Sequence, residues 1–118
     1  KADFRFRRVY IDFDETLIVG EHVHERVMAF LYQCRNRGID LVLLTKHRYE
    51  IRDTLRARGI SEHLFANIIQ IADDKDKWTY IDPIDAVFID NYWHDRRAVK
   101  EKLGIPVFDV DAVECLLC

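Results

Sequence analysis

The 118-residue chain lacks the features that would place it in several common classes of protein. No uninterrupted apolar run approaches the roughly 20 residues that a membrane-spanning helix needs. The N-terminal segment is charged where a secretory signal would be apolar, so no signal peptide is expected. No repeat, low-complexity segment or linker is visible. Residues 1–118 are therefore expected to form a single domain, and because the chain does not begin with methionine we expect that domain to be excised from a longer protein.

The sequence also lacks an excess of basic charge. It has 18 basic and 21 acidic residues, and residues 81–118 carry four basic residues against eight acidic ones. Domains that bind nucleic acid normally show a basic excess on one face, so neither a nucleic-acid-binding patch nor a membrane surface is expected as a partner. The acidic C-terminal third favours a cation site, and a solvated acidic surface is the alternative.

Cysteine is scarce, with Cys34, Cys115 and Cys118 as its three occurrences. An odd and small number of cysteines favours reduced thiols over a disulfide framework, which predicts a cytoplasmic protein. Hydrophobic residues make up 49% of the chain and charged residues 33%, a balance typical of globular domains rather than disordered or fibrous ones.

Short β-rich runs alternate with amphipathic stretches along the whole chain. Strands are predicted at Arg8–Phe13, Ile39–Thr45, Asn67–Ile71, Ala86–Asp90 and Val107–Asp109. Helices are predicted between Val23 and Cys34 with Gly38 beyond the end, at about Arg48–Arg58, Asp76–Ile81 and Asp95–Leu103, and from a cap at Asp111 through Leu117. This alternation predicts an α/β fold, a Rossmann-like three-layer sandwich around a central parallel sheet of about five strands.

Polar side chains stand where the predicted strands end. Asp12 and Asp14 lie at the C-terminal end of the first strand, Thr45 ends the second and Asp90 ends the fourth. In open parallel sheets, ligands bind beyond the carboxyl ends of the strands. These residues are therefore the first candidates for a functional site.

Four motifs follow one another in the chain. They are Asp12-Phe13-Asp14-Glu15-Thr16 after an apolar strand, a strand ending in Thr45, a lysine that opens a helix (Lys77 or Lys75), and Asp90 with Asp95 five residues later. In this order and spacing the series resembles the four motifs of the haloacid dehalogenase-like (HAD) superfamily of phosphatases, in its minimal form without a cap domain. The resemblance covers most of the chain.

The resemblance implies a Mg²⁺-dependent phosphomonoester hydrolase. Asp12 would be the nucleophile that forms an aspartyl-phosphate, and Asp14 would be the general acid and then the base. Phosphoryl transfer depends mainly on positioning and charge neutralisation, for which Thr45 and the lysine would contact the phosphoryl group. Thr16 would brace the loop that carries both aspartates.

The resemblance also implies a metal site. Mg²⁺ would be bound by Asp12, by Asp14 through its backbone carbonyl, and by Asp90, since it prefers a few carboxylates together with water and substrate oxygens. Asn91, Asp95 and Lys46 would support the site. Many relatives have a second aspartate where this chain has Asn91, whose amide can still ligate but adds no charge.

Several interpretations stay open at this point. Spacing favours Lys77 over Lys75, because apolar residues follow Lys77 one turn later. His22 and His24 could bind a metal, or lie in the flap that follows the first motif. Lys46, His47 and Arg48 could contact an anionic substrate, or form a solvated loop. Tyr92, Trp93 and His94 could contact a substrate or neighbouring domain, or pack on their own helix.

The intervals between the motifs leave no room for a cap domain. Only 28 residues separate Thr16 from Thr45, which predicts an open site. By resemblance, the substrate would be a phosphorylated molecule of unknown class, either macromolecular or covered by a neighbouring domain or subunit. A non-catalytic phosphate-binding or interaction module of a larger multidomain protein is one alternative, and a phosphotransferase is another. The presence of Asp14 favours an enzyme, since binding alone would not need an acid there.

Overall fold

The computed structural model describes residues 6–117. In this range the strands are β1 (Arg8–Ile11), β2 (Ile18–Val19), β3 (His22–Val23), β4 (Asp40–Thr45), β5 (Asn67–Gln70), β6 (Ala86–Ile89) and β7 (Val107–Phe108). The α-helices are α1 (Glu25–Asn36), α2 (Ile51–Ala57) and α3 (Trp93–Leu103). Turns of 3₁₀-helix occur at Glu62–Leu64, Lys77–Tyr80 and Val110–Cys115.

Five of the described strands form one parallel sheet in the order β5-β4-β1-β6-β7. The sheet confirms the predicted α/β fold with about five parallel strands. β1 occupies the centre and pairs with β4 on one side and β6 on the other. Strands β2 and β3 form a separate antiparallel hairpin directly after the first motif, in the segment expected to be a flap.

Both faces of the sheet are covered, which is why its central strands are continuously apolar. Val9 and Ile11 of β1 point to the face that packs against α1 and α2. Tyr10 of β1 and Phe88 of β6 point to the opposite face, where they pack with Val99 of α3. The sequence therefore builds three layers, with helices on either side of a buried sheet.

Helix α1 follows the predicted apolar stripe. Val27, Phe30, Leu31 and Cys34 are buried against the sheet. The imidazole of His24 caps the first turn by accepting a hydrogen bond from the backbone N–H of Val27 over 3.3 Å. The helix thus begins at Glu25 rather than at Val23, which lies in β3. Its N-cap is a histidine rather than an oxygen side chain.

Helix α2 begins at Ile51, three residues later than the predicted start at Arg48. The Gln70 side chain of β5 donates hydrogen bonds to the backbone carbonyls of His47 and Tyr49 and accepts one from the Ile51 N–H. These contacts hold the segment before Ile51 out of the helix. Glu50 then serves as the N-cap by accepting from the Arg52 N–H.

Three other predicted helices differ from the structure, and four predicted strands end one or two residues earlier than expected. The helix expected at Asp76–Ile81 is a single 3₁₀ turn, in which the Thr79 hydroxyl donates to the Asp76 carbonyl. Helix α3 begins at Trp93 rather than Asp95. The final short helix is capped by Asp109 rather than Asp111, because the Asp109 carboxylate accepts from the Val110 N–H. It is also a 3₁₀ helix and ends at Cys115.

Two further sequence expectations concern membranes and thiols. Across residues 6–117, no helix has the length and apolar character needed to cross a membrane. Cys34 is a buried free thiol whose pKa is raised to about 12 by burial, and Cys115 is free and exposed. Cys118 lies outside the described residues.

Candidate active site

The site begins where the central strands end. Asp12 follows β1 directly and Asp90 follows β6 directly, and the Asp12 N–H donates to the Ile89 carbonyl over 3.0 Å. Since the two strands are parallel neighbours, their following carboxylates meet at the same edge of the sheet. Thr45, the last residue of β4, is buried at that edge on the other side of β1.

Lys77 joins the two aspartates. Its Nζ lies 2.8 Å from Asp12 Oδ1 and 2.8 Å from Asp90 Oδ2, and 3.8 Å from Asp95 Oδ2. Lys77 is 4% exposed, Asp12 7% and Asp90 not at all. Lys75, the alternative lysine, is exposed on the loop before the 3₁₀ turn. The structure therefore brings Lys77, rather than Lys75, to the two strand-end carboxylates.

The buried charges alter one another's protonation. Burial raises the pKa of Asp90 to about 6, and the Asp12 charge adds to the rise, while Lys77 and the Tyr92 N–H oppose it. Burial lowers the pKa of Lys77, but the carboxylates of Asp12 and Asp90 outweigh that effect and leave it above its ordinary value. Burial and the Asp90 charge likewise raise the pKa of Asp95, against Lys77 and Lys46. The carboxylates of Asp12, Asp90 and Asp95 together carry more negative charge than Lys77 offsets.

Thr16 braces the loop after β1. Its hydroxyl lies 3.2 Å from Asp12 Oδ2 and 3.3 Å from Asn91 Oδ1, and it accepts from the Asn91 N–H over 3.3 Å. Between the two motif aspartates and this threonine, Glu15 adopts a left-handed backbone conformation with φ of 56°. Thr16 thus ties the first motif to the residue that follows Asp90.

Thr45 presents a hydroxyl at the same edge. Its Oγ1 accepts a hydrogen bond from the His47 N–H over 3.0 Å, which leaves the hydroxyl proton for donation. This geometry suits contact with an anionic oxygen.

Asp14 has a partner that sequence reasoning missed. The His47 Nδ1 lies 2.9 Å from Asp14 Oδ2 and 3.1 Å from Oδ1, while the His47 Nε2 lies 2.8 Å from the Thr54 hydroxyl. Asp14 and His47 are 33 positions apart. Only the position of His47 two residues after a strand-end threonine could have pointed to this contact.

A cleft opens beside the site. It has a volume of about 510 Å³ and is lined by Lys46, His47, Arg48, Ile71, Ala72 and Asp73. Tyr92 and Trp93 stand exposed in the fourth-motif loop and at the start of α3. The Trp93 ring contacts His94 and lies under the Arg97 guanidinium at 5.2 Å.

His22 and His24 do not form a metal site in the structure. His24 is engaged as the cap of α1, and His22 lies exposed in the β2–β3 hairpin. In the described range 6–117, no three His, Cys, Asp or Glu side chains are grouped closely enough to hold a metal ion.

Solved structures share this architecture. A phosphatase-domain fragment of the protein BF1531 from Bacteroides fragilis, complexed with Mg, superposes with a TM-score of 0.68 at 18% identity, over 95% of this chain and 39% of that one. The 3-deoxy-D-manno-octulosonate 8-phosphate phosphatase from Moraxella catarrhalis, complexed with magnesium, phosphate and KDO, superposes with a TM-score of 0.53 at 22% identity, over 82% of this chain and 64% of that one.

A protein from Corynebacterium glutamicum superposes with a TM-score of 0.66 at 15% identity, over 88% of this chain and 84% of that one. No protein-family model matches the sequence, and no curated protein does. The chain spans less than two thirds of each of the two phosphatase structures. The likeness to them is one of fold.

This chain shares the fold of these solved phosphatase structures.

In this fold the donor set suits Mg²⁺. Asp12 and Asp90 supply two converging carboxylates, which Lys77 alone does not neutralise. Mg²⁺ is commonly bound through one or two carboxylates and keeps several waters and substrate oxygens, so it does not need three acidic side chains. The residues present therefore fit this ion better than one that requires a full protein cage.

Proposed function

We propose that this protein is a Mg²⁺-dependent phosphomonoester hydrolase that acts through an aspartyl-phosphate on Asp12. The observation that carries the proposal is the buried contact of Lys77 with both Asp12 and Asp90 at the strand edge. A carboxylate can approach a phosphate dianion only where positive charge offsets the repulsion. A buried lysine between two aspartates supplies part of that charge.

The first half of the reaction transfers the phosphoryl group to the protein. A carboxylate oxygen of Asp12 attacks phosphorus while the bond from phosphorus to the leaving oxygen breaks. Protonated Asp14 gives its proton to that oxygen, so the product leaves as a neutral alcohol. Lys77 and the Thr45 hydroxyl contact the phosphoryl oxygens.

The second half regenerates the protein. Asp14, now a carboxylate, takes a proton from water as the water oxygen attacks phosphorus. The bond between phosphorus and the Asp12 oxygen breaks, and inorganic phosphate leaves. The carboxyl group of Asp14 thus acts as the acid in the first half and as the base in the second.

The residues that would hold Mg²⁺ are Asp12 and Asp90 through their side chains and Asp14 through its backbone carbonyl, with Asn91 and Asp95 in support. When bound, the ion supplies charge neutralisation and orientation of the phosphate. Lys46 is proposed to balance Asp95, since it lowers the pKa of that carboxyl.

We further propose that the protein is a capless, cytoplasmic member of the HAD superfamily. The hairpin β2–β3, helix α1 and strand β4 fill the interval from Thr16 to Thr45. Helix α2, the turn at Glu62–Leu64 and β5 fill the interval from Thr45 to Lys77. An open site of this kind takes a large phosphorylated substrate, or a small one covered by a neighbouring domain or subunit.

The proposal is tested by hydrolysis of p-nitrophenyl phosphate with Mg²⁺ and with a chelator. Asp12→Asn should abolish turnover and the chelator should do the same to the wild type. Asp53→Asn, an exposed aspartate on α2, is the matched control and should retain activity. Turnover that survives in Asp12→Asn contradicts the mechanism, and absent turnover with Mg²⁺ still bound favours an interaction module.

A further inference from the structure

We propose that His47 is a positioning residue that fixes the carboxyl group of Asp14 for proton transfer to the leaving group. The inference rests on the proposed function, in which Asp14 is the general acid. It extends the proposed mechanism, because it assigns roles to two further residues, His47 and Thr54, in holding the general acid. Asp14, His47 and Thr54 form a chain of side-chain contacts that runs from the loop after β1 to helix α2.

The contacts assign a direction to each hydrogen bond. His47 Nδ1 lies within 3.1 Å of both Asp14 oxygens, so an N–H there donates to the carboxylate as a whole. The Thr54 hydroxyl lies 2.8 Å from Nε2 and 3.4 Å from the Glu50 carbonyl. The shorter distance favours a hydrogen bond in which the hydroxyl donates to Nε2. Neutral His47 with its proton on Nδ1 satisfies every partner.

The position of His47 is fixed by contacts of both its ring and its backbone. The imidazole packs edge-on against the Phe13 ring at 5.1 Å and the Tyr49 ring at 6.0 Å. Its backbone N–H donates to the Thr45 hydroxyl, and its carbonyl accepts from the Gln70 side chain over 2.8 Å. His47 is therefore a rigid donor, built on the same loop that presents Thr45.

Asp14 needs such a donor because it is otherwise open to water. Its side chain is 55% exposed, while that of His47 is 11% exposed. An exposed carboxyl group samples several rotamers, and a general acid works only in the one that reaches the leaving oxygen. When Asp14 gives up its proton, the negative charge that develops on its oxygens is met by the Nδ1–H of His47, which itself transfers no proton.

Kinetics can separate this role from a structural one. His47→Phe keeps the ring but removes both nitrogens, and His47→Asn keeps an N–H donor near the place of Nδ1. We expect His47→Phe to lower kcat/KM for an alkyl phosphate roughly 10- to 100-fold, because an alkoxide leaves poorly without a proton. The same variant should change kcat/KM for p-nitrophenyl phosphate less than about threefold, since nitrophenolate leaves unprotonated.

The conservative variant and the matched control complete the set. His47→Asn should recover most of the alkyl phosphate activity, and Thr54→Val should show the leaving-group difference in weaker form. His63→Phe makes the same replacement in the turn Glu62–Leu64, where His63 lines a separate cleft with Gly38 and Asp40, and should leave the turnover of both substrates unaffected. In the Asp14→Asn background, His47→Phe should cause no further loss, because the two residues act as one unit. Equal losses for both substrates, or additive losses in the double variant, overturn the proposal.

A readout without turnover keeps this test separate from the proposed function. Histidine ¹H–¹⁵N spectra of the wild type at about pH 8, where a free imidazole is neutral, should show His47 protonated on Nδ1. Asp14→Asn and Thr54→Val should each shift that signal. A proton on Nε2 alone overturns the proposal even if the protein is an active phosphatase. Wild-type protein that lacks Asp12-dependent turnover would contradict the proposed function instead, whatever the spectrum shows.

Discussion

At the scale of single residues, the site is an imbalance of buried charge. Two carboxylates, those of Asp12 and Asp90, share one ammonium group at 2.8 Å each. Removal of charged groups from water costs several kcal/mol per ion, and the geometry must return that cost through contacts. Lys77 is therefore as important for keeping the strand edge intact as for any reaction there.

Replacement of Lys77 by methionine tests this directly. The change leaves two buried carboxylates without their cation, so we expect the free energy of unfolding to fall by about 3–5 kcal/mol at neutral pH. Urea denaturation measures the effect. Lys75→Met, on the exposed neighbouring loop, is the matched control and should stay within about 0.5 kcal/mol of wild type. A Lys77→Met protein as stable as the control would contradict the buried contacts.

Much of the residue-level arrangement could be predicted, because it depends on strand ends. Asp12, Thr45 and Asp90 could be grouped because each stands at the C-terminal end of a predicted parallel strand. Lys77 could be preferred to Lys75 from the apolar residues that follow it. The partnership of Asp14 with His47 could not, because it joins two loops through a side-chain contact that no periodicity encodes.

At the scale of elements, the side chain of Arg96 links α3 to the end of β6. Arg96 donates to the Asp90 carbonyl over 2.7 Å and approaches Asp109 Oδ1 at 3.8 Å. The arginine thereby links the carboxyl ends of β6 and β7 to the helix that carries Asp95. The link holds the backbone of Asp90, whose carboxylate is itself contacted by the Lys77 Nζ and the Tyr92 N–H.

Arg96→Met should loosen that end of the sheet. We expect a loss of about 1.5–3 kcal/mol in the free energy of unfolding, the range for a hydrogen bond to a charged group, and weaker Mg²⁺ binding by titration calorimetry. Arg97→Met is the matched control on the next residue of the same helix. Arg97 pairs with Glu101 at the exposed surface, where ion pairs contribute little. Similar losses in both variants would show that helix charge, not the link, matters.

The elements themselves were predictable where burial sets the pattern and less so where side chains compete with the backbone. Helix α1 follows its apolar stripe, and the five strands lie where their apolar runs indicated. The start of α2 depends on Gln70 from a distant strand, and the turn at Lys77–Tyr80 depends on the Thr79 hydroxyl. Such contacts decide boundaries without leaving a periodic signal.

At the scale of the whole molecule, the site makes stability depend on pH. The pKa of Asp90 is raised from 3.8 to about 6 in the folded protein, chiefly by burial. Between these values the folded state binds the proton more tightly than the unfolded state does. The contribution of Asp90 to the free energy of unfolding of the metal-free protein therefore falls as the pH rises through this window, by up to about 3 kcal/mol.

Asp90→Asn should remove this dependence, because an asparagine resembles the neutral carboxyl group. Compared with the wild type, the variant should lose less stability from about pH 4 to pH 7. Mg²⁺ should raise the Tm of the wild type more at neutral than at acid pH, and should not raise that of Asp90→Asn. Asp53→Asn, exposed on α2, should follow the wild type in thermal unfolding scans. A wild type whose stability rises through the window as steeply as that of Asp90→Asn would contradict the shift.

The fold class was also predictable at this scale, since alternating strands and helices permit few arrangements. The strand order places the residue after β1 at the centre of the sheet, with paired strands on both sides. The proposed nucleophile thus directly follows the central strand, and fraying of the outer strands β5 and β7 or of the helix ends does not reach it. The position of the Asp12 carboxylate therefore depends on the folding of the whole sheet. Substitutions in the peripheral loops can change which substrates bind without displacing the carboxylate that would react.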